Sequence, residues 1–276
     1  MTMRTIIETI EAQETSDGAG VRLKRSIGSH RLDNLDPFLL LDEFGSDNST
    51  DYIAGFPDHP HRGFETVTLM LDGIMRHEDS AGNGGSLLPG GVQWMTAGRG
   101  IVHSEMPETR EGLMRGFQLW VNLPAKDKMA EPRYQNIEPD DVPEIHTDDG
   151  ATVRVIAGVV NGVDGAVTDI AVQPTYLDIT LAPNGRFSLP LPEGHQGFVY
   201  LYEGSASVED VALKKSNLGV LSKGDGLEVQ GGENGARLIL VAGAPLNEPI
   251  ARHGPFVMNT REEIQQAFDD FRAGRF

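Results

Sequence analysis

The stretch His59-Pro-His-Arg-Gly-Phe-Glu-Thr66 decides how this chain is read, because it sets two histidines two residues apart. On a β-strand, side chains at i and i+2 leave the same face, so His59 and His61 can aim both imidazoles at one point. LPGGVQWMTAGRGIVHSEMP (Leu88 to Pro107) repeats that spacing with His103 and Glu105. If the two segments are neighbours in a barrel, three neutral nitrogens and one carboxylate oxygen converge on its interior. Such a donor set suits iron, manganese, nickel or zinc better than calcium or magnesium. On an octahedral ion it leaves two positions open for a substrate and dioxygen. Imidazole ligates only when neutral, so metal loss is expected at acidic pH. Glu65 keeps the parity of His59 and His61 and competes for the fourth position. It ranks behind Glu105, as an outer partner of the site or a charge partner of Arg62 or Arg99. His30, His77, His146, His195 and His253 stand alone and read as structural or solvated.

Outward from this stretch, alternation of period two predicts strands over Thr66 to Leu71, Phe117 to Leu123, Thr152 to Val160, Thr175 to Leu181, Gly197 to Tyr202 and Arg237 to Ala242. Glycine supplies 33 of the 276 residues, roughly 12% against an average of about 7%. With 16 prolines, that frequency fits short strands and tight turns and disfavours a helical bundle. Gly45 to Thr50 and Ser80 to Ser86 are the clearest turns. Four prolines between Pro124 and Asp149 read as an extended linker. It divides the chain into residues 1–135, carrying the histidines, and residues 136–276. Thr260 to Gly274 is the best helix: Thr260 and Glu263 have capping-box spacing, and Ile264, Phe268 and Phe271 share a face that should dock on a barrel. The expected class is all-β, two tandem β-barrels with a short C-terminal helix.

The bulk numbers exclude several functions. A net charge of −18 is repelled by phosphate backbones, so direct nucleic-acid binding is disfavoured. The absence of cysteine removes disulfides, thiolate nucleophiles and cysteine zinc sites, and fits a reducing compartment. No apolar core of a signal peptide and no span of ~20 apolar residues is present, so a cytoplasmic protein is expected, without a membrane partner. A Gly-rich phosphate loop and a GxSxG elbow are also missing.

HPHRGFET and LPGGVQWMTAGRGIVHSEMP resemble the pirin family of the cupin superfamily, as do DPFLLLDEF (Asp36 to Phe44) and GPFVMNTREEIQQAFDDF (Gly254 to Phe271). The resemblance covers nearly the whole chain. It implies a bicupin, two jelly-roll barrels of which only the first holds metal. It also implies one divalent ion, Fe(2+) first, with Mn, Ni, Zn and Cu as alternatives, on His59, His61, His103 and Glu105. Several pirins are similar in fold and site to quercetin 2,3-dioxygenase, which opens a flavonol ring with dioxygen and releases carbon monoxide. That likeness implies a small flavonol-like aromatic and O2 as reactants, with Glu105 acting also as catalytic base. Phe44, Phe56, Phe64, Trp94 and Met106 are candidates for apolar walls. The family is associated as well with a metal-loaded, non-catalytic regulatory role in which a protein is the partner.

Overall fold

A computed structural model describes residues 2–276 as antiparallel β-structure followed by a single α-helix. The expected strands form, several of them longer than their patterns: Phe64–Asp72, Met114–Asn122, Thr175–Leu181, Gln196–Val208 and Gly226–Gly243. The one expected over Thr152 to Val160 stops at Ala157, where Gly158 at φ +91° breaks it and Val159–Val160 pairs in a separate sheet. Extension beyond the alternating core costs little where a neighbouring ladder already holds the backbone groups. Among the described residues, no helix is long and apolar enough to cross a membrane.

The chain divides into two compact units, and the division is not the expected cut at residues 135 and 136. One unit joins the segment ending at Gln13 with His30–Pro37 and Asp140–Pro245; the other joins Glu14–Ser29, Phe38–Pro139 and Leu246–Phe276. Strand pairing explains the exchange of ends. Ile6–Glu11 runs antiparallel to Asn217–Leu221. At the other end, Phe256 bridges to Arg62 beside the HPH strand. A linear reading of sequence has no means of seeing either partnership.

The interval between Pro124 and Asp149 is also more ordered than a linker. Arg133–Ile137 pairs with Val92–Thr96, and Glu144–His146 pairs with Ala151–Ala157. Pro132, Pro139 and Pro143 stand just outside these short strands, where a missing N–H interrupts no ladder.

The unit containing Asp140–Pro245 is built on a nine-stranded sheet. Leu177, Ile179, Leu181, Val199, Leu201, Leu238 and Leu240 alternate onto one face and fill its core with apolar side chains.

In the second unit, a seven-stranded sheet runs in the order Arg133–Ile137, Val92–Thr96, Phe64–Asp72, Met114–Asn122, Phe38–Ser46, Val21–Arg25, Gln13–Asp17. A four-stranded sheet orders Phe56–His61, Ile101–Pro107, Met75–Asp79 and Gly84–Leu87. Gly63 turns the chain from one sheet to the other with φ +87°; a Cβ there would lie 1.9 Å from the Val257 carbonyl oxygen. Only glycine fits that approach. The C-terminal helix, Arg261–Arg272, belongs to this unit and carries the expected capping box between Thr260 and Glu263. Ile264 and Ala267 bury against Phe256 and Met258, with Phe268 partly covered.

Candidate metal centre

The HPH and HSE segments are adjacent antiparallel strands. His103 stands opposite His59, and Ile101 stands opposite His61. The shared parity then brings three imidazoles to one side of the ladder. Their ring centroids lie 4.7 Å (His59–His61), 4.5 Å (His59–His103) and 5.1 Å (His61–His103) apart. One nitrogen of each lies within 4.8 Å of the others, a grouping that could hold a single metal ion.

Tautomers and protonation favour ligation. His59 Nδ1 sits 2.9 Å from the Pro57 carbonyl; donating there leaves the Nε2 lone pair free. His61 Nδ1 and both ring nitrogens of His103 are buried with no hydrogen-bond partner. A buried polar atom without a partner costs about 1–3 kcal/mol, and a cation would satisfy the lone-pair nitrogen of each ring, the other nitrogen being an N–H donor. Burial, and then the neighbouring imidazoles of His103 and His59, hold the His61 ring well below its ordinary pKa. His103 is pushed down to about 3, again chiefly by burial. Both rings are therefore neutral, the form that binds metal.

Glu105 lies two residues beyond His103, past an irregularity in the pairing with the HPH strand. Its side chain is buried, and it stands outside the group formed by the three histidines. Its carboxylate is held by both oxygens: Thr68 Oγ1 is 2.9 Å from Oε1, and Gln118 Nε2 donates to Oε2 at 2.9 Å.

Glu65 does not share this site. The turn at Gly63 resets the parity, so Glu65 alternates away from Thr66 and Thr68 and accepts from Thr96 Oγ1 at 2.7 Å. Burial raises its carboxyl pKa. Neither expected arginine pairs with it: Arg62 holds Asp270 at 2.7 Å, and Arg99 holds Glu131 at 2.8 Å. His77, read from sequence as a lone histidine, is buried directly across the ladder from Glu105 and stacks on Tyr134 at 5.9 Å. Only the register of two distant strands reveals that position.

His59, His61 and Glu105 open into a cavity of about 580 Å³, within the ~300–1,000 Å³ usual for small-molecule sites. Phe44 and Phe56 line it as expected, joined by Leu40, Met75 and Trp120. The other expected wall residues lie elsewhere. Phe64 meets the His61 ring edge at 5.0 Å. Trp94 faces Val67 across the ladder, on the side away from Thr68. Met106 alternates away from Glu105. Charged groups complete the wall, Asp17, Arg25, Asp42, Asp58 and Arg252 among them. Arg25 is bound to Asp42 at 2.8 and 2.7 Å, and the Arg252 guanidinium lies 4.9 Å over the Trp120 ring. Sequence patterning offered no reason to select Trp120, Gln118 or Arg252, because each belongs to the cavity only through strands brought together by the fold.

Residues 20–121 match the family model for Pirin, and residues 176–276 match that of the Pirin C-terminal cupin domain. The chain belongs to the pirin family. It is 53% identical over 278 residues to a Pseudomonas aeruginosa protein named "Putative quercetin 2,3-dioxygenase", across 98% of this chain and 97% of that one. It is 46% identical over 271 residues to human pirin, across 96% and 91%. Among solved structures, quercetin 2,3-dioxygenase from Acinetobacter baumannii superimposes with a TM-score of 0.91 at 36% identity, covering 99% of this chain and 98% of that one. The pirin assignment settles the architecture as two cupin domains with a short C-terminal helix, and the three-histidine group lies in the first.

Proposed function

We propose that this pirin-family chain is a metal-dependent dioxygenase that opens a flavonol such as quercetin with O2, using one iron(II) on His59, His61, His103 and Glu105. The observation that carries this reading is the set of partnerless imidazole nitrogens gathered beside an apolar cavity of small-molecule size. The relatives named for quercetin dioxygenase support the choice of substrate. When bound, a divalent transition ion supplies Lewis acidity toward a hydroxyl and access to redox chemistry with dioxygen.

The remaining work falls to side chains. Trp120, Phe44 and Phe56 present flat or apolar surface to a planar ring system and exclude water from it. Glu105, at the cavity wall, is the base that takes the proton of the flavonol 3-hydroxyl onto a carboxylate oxygen. Gln118 is beside it to hold that carboxylate in place.

The test is direct. Protein loaded with iron(II) is mixed with quercetin, while loss of its visible absorbance and uptake of oxygen are followed together. Turnover that disappears in His61→Ala supports the proposal. Full metal occupancy with no turnover overturns it in favour of a regulatory, protein-binding role.

A further inference from the structure

Thr68 and Gln118 are direct cross-strand neighbours in the seven-stranded sheet, on Phe64–Asp72 and Met114–Asn122. Glu105 comes from the four-stranded sheet. Three contacts join them into a closed ring: Thr68 Oγ1 to Glu105 Oε1 at 2.9 Å, Thr68 Oγ1 to Gln118 Oε1 at 2.8 Å, and Gln118 Nε2 to Glu105 Oε2 at 2.9 Å. Thr68 and Glu105 are almost wholly buried, at 2% and 3% exposure, so water does not compete for these bonds. Gln118 reaches the cavity wall.

The chemistry of the ring limits its arrangement. A threonine hydroxyl carries one hydrogen and can donate to one acceptor at a time. With Glu105 as a carboxylate, that hydrogen goes to Oε1, the Gln118 amide N–H occupies Oε2, and the close approach of Thr68 Oγ1 to Gln118 Oε1 carries no hydrogen of its own. A carboxylate offers about four lone-pair sites. Two are taken, one on each oxygen, which pins the carboxylate plane and leaves the other pair in a fixed direction. A glutamate side chain left to itself would sample several rotamers at this place, and ordering it would cost free energy on each metal-binding event. The ring removes that freedom beforehand.

We infer that Thr68 and Gln118 are positioning residues of the metal centre, gripping both oxygens of Glu105 and fixing which lone pairs it offers beside the three histidines. This rests on the metal-binding part of the proposed function and adds two residues to it. Outer partners that orient a ligand are typically worth 10–100-fold in metal affinity, and the two contacts to Glu105 are placed to supply that orientation.

Cobalt(II) serves as the probe, because its visible absorption reports the donor set as well as occupancy. Its affinity is measured by competition with a chelator for the wild-type protein, Thr68→Val, Thr68→Ser and Gln118→Met. The expected result is a 10–100-fold weaker affinity and an altered cobalt spectrum in Thr68→Val and Gln118→Met. Thr68→Ser keeps the hydroxyl and should restore both. The melting temperature of each metal-free variant is recorded alongside. Variants that melt lower without metal, yet bind cobalt with wild-type affinity and spectrum, would show a purely structural ring and overturn the inference. Wild-type protein that takes up no cobalt would instead overturn the metal site itself, so the two failures are distinct.

Discussion

At the residue scale, the proposed metal site has a cost to the fold. His103 is 1% exposed and both its ring nitrogens lack partners, a cost carried by the metal-free protein. Replacing it with an apolar side chain removes that cost. His103→Leu should therefore raise the stability of the metal-free protein by about 1 kcal/mol or more, while abolishing the gain in melting temperature that added iron(II) or cobalt(II) gives the wild type. Thermal melts with and without EDTA check both signs. A metal-free His103→Leu protein that melts below the metal-free wild type would refute the account. The same-side placement within each pair was legible in the sequence because parity is a local property: His103 and Glu105 lie on one strand, and so do His59 and His61. The same rule misled for Glu65, since Gly63 ends the strand between them and parity does not cross a turn. His77, Thr68 and Gln118 were not legible at all. Their roles depend on register between strands more than twenty residues apart, which no spacing in the chain encodes.

At the scale of the element, the C-terminal helix was the most legible feature, and its partner the least. Thr260 Oγ1 accepts from the Glu263 backbone N–H at 3.2 Å, and the Glu263 carboxylate accepts from the Thr260 N–H at 2.9 Å. Thr260→Ala should cost about 0.5–2 kcal/mol, read as a shift in urea midpoint. What the helix anchors is visible only in the fold. Asp270 receives Arg62 at 2.7 Å, and Arg62 in turn lies under the Phe276 ring at 4.4 Å, next in sequence to His61 of the three-histidine group. Hydrogen bonds from Arg275 and then Arg62 hold the Asp270 carboxyl down at about 2. A carboxylate whose folded pKa lies below its unfolded value gives stability that is present above the unfolded value and lost as pH falls toward the folded one. The loss for Asp270 thus falls between about pH 4 and pH 2. Urea midpoints across that range should drop more steeply for the wild type than for Asp270→Asn. Equal slopes would mean that the pair contributes nothing. Strand existence was similarly readable from alternation, whereas the sheets to which Ile6–Glu11 and Phe256–Met258 belong were not.

At the scale of the whole unit that carries the three histidines, Lys128 ties three separated segments together. It is 1% exposed, and its ammonium donates to the Gly63 carbonyl at 2.8 Å, Asn122 Oδ1 at 2.8 Å and the Val257 carbonyl at 3.0 Å. Those acceptors come from the turn after the HPH strand, the end of a central strand and the C-terminal segment. The three bonds oppose the cost of burying a charge, and the balance between them depends on pH. Burial lowers the Lys128 pKa from 10.5 to about 8, against smaller opposing pulls from Glu248 and Glu263. Between those values the unfolded chain binds a proton that the folded chain has released, so the contribution of this group to stability rises with pH. Below about pH 8 the residue is charged in both states and the full burial cost is present. Above about pH 10.5 it is neutral in both, and the cost is gone. The span is worth at most about 3 kcal/mol. Other groups titrate in the same range, so the wild type alone cannot isolate the effect, but the difference from Lys128→Met can. Unfolding free energies from urea titrations at pH 7.5, 9 and 10.5 should show the wild type gaining on Lys128→Met at each step. A difference that stays flat, or moves the other way, would mean that the buried amine keeps its proton throughout and that its three acceptors outweigh desolvation.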